Sequence, residues 1–241
     1  MDGEQDKNFS GRITSGIKLR ESVLEIINFI SVQLPLWRDD PERDDIQSEH
    51  KLNSQLCDYL DSRARQDLPM FRFHHEEEQL DIRRVDLSAK PIEKVIIEAQ
   101  TFNKYDPVLV IECKRLPAPS SDREKEYVSG QSKDKITGGI QRFKLCLHGA
   151  KHNLAAMVGY IQDEGGAAWI ETINKWIKEL AVKPIGDGCV WSDDKILYLL
   201  ENNTETGIIK CNSKHGRIDN NNDIEIYHIW ISMRNKSASN N

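Results

Sequence analysis

No stretch of this chain is apolar for long enough to span a bilayer. Its opening, MDGEQDKNFSGR, lacks the basic-then-apolar order of a signal peptide. A soluble, cytoplasmic protein with no membrane partner is therefore expected. Five cysteines, at 57, 113, 146, 189 and 211, form no CxxC pair, which argues against a structural zinc site. Their odd number points to free thiols in a reducing compartment. There is no Walker A loop, no GxSxG and no GxGxxG after a strand, so nucleotide hydrolysis, serine hydrolysis and dinucleotide redox chemistry lack support. A helix-turn-helix, a zinc finger and an aromatic-interleaved basic stretch are also missing. Net charge is −6, which weighs against bulk attraction to nucleic acid but suits a site that needs cations.

What is present is the patterning of one large domain: 241 residues, 30% charged and 38% hydrophobic. Residues 1–16 and the tail 234–241 read as disordered. Apolar residues at 19, 23, 26, 27, 30 and 34 predict a helix that Pro35 closes. Leu52, Leu56 and Leu60 predict a second helix over 47–63. FRFHHEEEQL (71–80) and IRRVDLSA (82–89) read as strands, and VIIEAQTF is undecided between a strand and a helical turn. A strand over 108–116, a helix over 136–148, a buried strand over 154–161 and an amphipathic helix over 168–180 follow. KILYLLE, GIIKC and IEIYHIWISM are further strands, in a β-rich extension over 184–233 that completes the core of 17–183. The order predicts an α/β fold with a mixed central sheet flanked by helices.

The chemistry concentrates in VLVIECKRL, 108–116. Its first half is apolar on both faces, as a central strand requires. Its second half puts Glu112 and Lys114 on one face, roughly 6–7 Å apart. Asp86 lies toward the end of IRRVDLSA, and if the two strands are neighbours its carboxylate can meet Glu112. Two converging carboxylates with free water positions suit Mg²⁺, a hard cation that keeps room for phosphate. Glu49 precedes Leu52 by three residues, falls on the inward stripe and needs a partner such as a lysine.

At these residues the sequence resembles the PD-(D/E)XK nuclease superfamily. Asp86 … Glu112-Cys113-Lys114 matches its D…(D/E)xK signature, the element order from about 47 to 161 matches its αβββαβ restriction-endonuclease-like core, and Glu49 matches an acid many members carry on the first core helix. Val85 stands where the motif has proline. The resemblance implies hydrolysis of phosphodiester bonds, with Mg²⁺ (Mn²⁺ substituting), in a prokaryotic restriction or phage-defence setting. It implies Asp86, Glu112 and the Cys113 carbonyl as metal ligands and Lys114 as the group that orients or activates the nucleophile. A looser likeness around REKEYVSGQSKDKITGGIQRF places Gln141 and Arg142 near the site. With Lys135 and Lys144 they would track phosphates of a DNA partner.

Plainer readings stand beside these. Glu112 and Lys114 can be an ion pair at a strand end, Asp86 a turn-proximal acid with Asp81 as its competitor, and Glu49 an acid favoured by a helix N-terminus. Lysines and Arg142 between 133 and 151 can be ordinary surface charges. HHEEE (74–78) alternates faces, so its members are not expected to converge on a metal. His148 and His152 read as a helix end. A second expectation is a non-catalytic subunit that binds nucleic acid, self-associates or joins a defence partner, using exposed side chains of IYHIWISM.

Overall fold

The computed structural model describes residues 12–13, 18–79, 83–163, 165–218 and 223–233. The predicted disorder of 1–16 and 234–241, and the competitor Asp81, lie outside these residues, except that Arg12–Ile13 form a short strand, β1. Helices α1 (Leu19–Arg38) and α2 (Glu49–Asp67) lead into strands β2 (Phe71–Glu78) and β3 (Arg84–Pro91). A hairpin of β4 (Val95–Ile97) and β5 (Gln100–Phe102) precedes β6 (Leu109–Leu116), α3 (Gly139–Lys144), β7 (Leu154–Ile161) and α4 (Ala168–Val182). The chain ends in β8 (Tyr198–Asn203), β9 (Ile208–His215) and β10 (Ile224–Ser232).

Seven strands form one mixed sheet in the order β2-β3-β6-β7-β10-β9-β8. The fold is α/β, as the patterning predicts. Strand β6 runs antiparallel to β3 and parallel to β7, so it sits at the centre, where an apolar run on both faces is required. Leu109, Ile111 and Cys113 pack toward α1 and α2, while Val110 joins Met157, Ile140 and Ile177 on the opposite side. Side chains alternate along the strand, so Glu112 and Lys114 follow Val110.

Several boundaries differ from the sequence reading. Pro35 does not end α1, which runs on to Arg38. The proline costs one backbone bond near the helix end, and buried Trp37, packed against Tyr160 at 5.8 Å, holds the last turn in place. VIIEAQTF is a hairpin whose turn uses Glu98 (φ 49°) and Ala99 (φ 62°), left-handed positions that carry none of the glycine or asparagine by which such turns are recognised. The helix expected over 136–148 shrinks to Gly139–Lys144, and Cys146 (φ 56°) and Gly149 (φ 61°) turn the chain after it. IYHIWISM is no exposed interface. It is β10, paired on both sides with β7 and β9, and buried along most of its length.

Candidate active site

The site lies where β3 and β6 part. Their antiparallel pairing ends at Leu87 opposite Ile111, and one step further Asp86 and Glu112 occupy facing positions with no ladder between them. On the other side of β3, the β2 pairing also skips Asp86: His75 pairs with Leu87 and Glu77 with Val85, while Glu76 between them takes φ 55°. Asp86 is thus released from the sheet on both edges.

Beyond the fork, two carboxylates take over from the missing strand. Cys113 N–H donates to Asp86 Oδ2 at 2.7 Å, and Arg115 N–H donates to Glu49 Oε2 at 3.2 Å. Residues 113 and 115 point their N–H groups to the same edge of β6, and in an extended strand the carbonyl of a residue points with its N–H. The Cys113 carbonyl therefore faces the fork as well. Glu49 reaches this edge because α2 begins there, with its Leu52–Leu56–Leu60 stripe buried below.

Lys114 Nζ lies 3.1 Å from Glu49 Oε1 and 3.0 Å from Glu112 Oε1. Glu49 has found the lysine its inward position calls for. Glu112 is 0% exposed. Arg142 NH1 donates to the same Glu112 Oε1 at 2.8 Å, and His148 Nδ1 approaches Oε2 at 3.0 Å. Burial works to raise the Glu112 carboxyl, but Lys114, His148 and Arg142 hold it well below the usual carboxylate range. Burial works to lower the Lys114 ammonium, and Glu112, Glu49 and Asp86 raise it instead. Asp86 is different. Burial and the Glu112 charge raise its carboxyl to about 7, against the opposing pull of Lys114 and the Cys113 N–H.

Not every predicted residue is here. Gln141 is fully buried and braces a loop: its Oε1 accepts Gly130 N–H and Gly138 N–H, and its amide donates to Asp187. Lys144 is also buried, donating to the Gly216 carbonyl at 3.0 Å with its ammonium over Trp191, so it cannot track a phosphate. Lys135 is exposed and 3.5 Å from Gln131 Oε1, apart from the acids. Arg142 belongs to the site, but as a partner of Glu112. His148, read from sequence as a helix end, is a site residue. Its sequence signal is only the four-residue spacing to His152 at the expected end of a helix.

The buried Glu112 Oε2 makes no aligned hydrogen bond, nor does His148 Nδ1 beside it. Such an orphaned oxygen, facing a second carboxylate raised by burial and by the Glu112 charge, fits a divalent cation held by Asp86, Glu112 and the Cys113 carbonyl. Mg²⁺ needs only one or two protein carboxylates.

No protein-family model, curated protein or solved structure matches this chain. Among the described residues, no helix is long and apolar enough to cross a membrane.

Proposed function

We propose that this chain is a metal-dependent nuclease that hydrolyses phosphodiester bonds of DNA in a prokaryotic restriction or phage-defence setting. The observation that carries this reading is the fork: Asp86 and Glu112 facing each other past the end of a strand pair, with Lys114 beside them and Glu49 behind it. Asp86, Glu112 and the Cys113 carbonyl would hold Mg²⁺ or Mn²⁺. When bound, the ion acidifies a water and offsets charge on the transferring phosphoryl group. Lys114, held between Glu49 and Glu112, would orient the attacking water. Arg142 holds Glu112 in the rotamer that turns Oε2 away from Lys114. Glu49 touches no reacting atom in this scheme and acts by positioning Lys114. The test is incubation with supercoiled plasmid, linear duplex, single-stranded DNA and RNA in Mg²⁺ or Mn²⁺. Four intact substrates contradict it.

A second reading has its own observation. Asp86 and Glu49 already satisfy two backbone N–H groups, and Glu112 is enclosed by Lys114, Arg142 and His148. A network enclosed in this way can serve as architecture, in a subunit that holds nucleic acid or assembles with a defence partner. A stable complex with such a partner, without cleavage, would favour it.

A further inference from the structure

HHEEE does not behave as an alternating strand. Glu76 takes φ 55°, a left-handed conformation that interrupts the alternation, and brings its carboxylate to the same place as His75. His50, in the first turn of α2, meets them there. One donor atom from each of His50, His75 and Glu76 lies within 4.8 Å of the other two. Among the described residues they are the one group of three or more His, Cys, Asp or Glu donors that converge so closely. The expectation that these residues point apart fails at this backbone turn.

We propose that His50, His75 and Glu76 form a second metal site, distinct from the acidic fork and selective for Zn²⁺ and its like. His50 Nδ1 is 3.6 Å from Glu76 Oε1. Neighbouring ligands of a tetrahedral zinc stand about 3.4 Å apart. The two imidazole rings are tilted by 54° with centroids 5.4 Å apart, so each can direct a nitrogen to a shared point without stacking. Arg84 NH1 holds the other Glu76 oxygen, Oε2, at 2.7 Å, which leaves Oε1 turned to His50 and gives the carboxylate the outer-shell support that ligating carboxylates need. A shallow cavity of ≈ 400 Å³ is lined by His75, Glu76 and Arg84 but not by His50, so it opens beside the three donors and not between them.

The donor set decides the metal class. Two imidazoles and one carboxylate suit Zn²⁺ or Co²⁺, whereas Mg²⁺ takes oxygen ligands in octahedral array. The site would also clip the start of α2, which carries Glu49, to the bend in β2 opposite Asp86. It does not depend on the fork being catalytic.

The test is a Co²⁺ titration of the untagged, chelator-treated chain carrying Glu112→Ala, followed by ligand-field absorption and by equilibrium dialysis. The expected result is one Co²⁺ per chain, displaced by Zn²⁺ and not by Mg²⁺. His50→Ala and His75→Ala should each weaken binding by at least about tenfold. His74→Ala, in the same stretch, should leave it unchanged. No binding, or binding indifferent to His50→Ala and His75→Ala, overturns the proposal.

Discussion

His148 Nδ1 lies 3.0 Å from Glu112 Oε2, both nearly or wholly buried, and neither atom makes an aligned hydrogen bond. The contact joins the turn after α3 to the middle of the central strand, so it fixes the orientation of the carboxylate on which the fork depends. His148→Ala would leave that buried oxygen without its neighbour. We expect a loss of about 1–3 kcal/mol in unfolding free energy, read as a lower denaturant midpoint at constant slope. An unchanged midpoint would show that the contact carries no weight.

Asp86 gives the metal site a pH dependence. Burial and the Glu112 charge raise its carboxyl to about 7, and a cation must displace that proton. Affinity for Mg²⁺ should therefore rise as pH increases through about 7, with a proton released on binding below it. Calorimetry in buffers of different ionisation enthalpy measures both. Affinity flat from acid to alkaline pH would contradict the coupling of Asp86 to Glu112.

A buried chain of polar groups sets a second pH dependence, in stability. Trp230 Nε1–H donates to the Tyr127 hydroxyl at 2.8 Å, and that hydroxyl meets His228 Nδ1 at 2.7 Å. His228 Nε2 meets Ser213 Oγ at 2.8 Å, which in turn meets His215 Nε2 at 2.9 Å. The Trp230 donor fixes the direction, so Tyr127 donates to Nδ1 and neutral His228 carries its proton on Nε2. Burial lowers the His228 pKa to about 3. The unfolded chain takes up that proton near pH 6.5, and the folded chain only near 3. The contribution to stability is thus complete above 6.5 and is lost as pH falls toward 3. The difference in unfolding free energy between wild type and His228→Asn should shrink over that range. Asp86 has the opposite sign, but its contribution cancels in the difference. A constant difference would contradict the assignment.

The periodic elements were legible in the sequence. Leu52, Leu56 and Leu60 marked α2, and LAAMVGYI marked β7, because burial imposes a period on side chains. Lys114 lies against Glu112 and Glu49, and Asp86 falls opposite Glu112, since register follows from the apolar pattern of β3 and β6. What was hidden depends on single backbone torsions. Glu76, Glu98, Ala99 and Cys146 take positive φ without being glycine. These four residues account for the hairpin left undecided, the early end of α3 and the unexpected convergence of His50, His75 and Glu76. The buried destinations of Gln141 and Lys144 were equally out of reach, because one long polar side chain on a short helix carries no period.

The most direct measurement is cleavage of supercoiled plasmid by wild type and by Asp86→Asn, in Mg²⁺ and in EDTA. Asparagine keeps an oxygen to accept the Cys113 N–H and removes the charge, so it separates architecture from metal chemistry. Wild type should cut in Mg²⁺ and not in EDTA, and a folded Asp86→Asn should not cut. Cutting by Asp86→Asn at the wild-type rate, or cutting that survives EDTA, would contradict the nuclease reading, as would a wild type that leaves the plasmid intact together with linear duplex, single-stranded DNA and RNA.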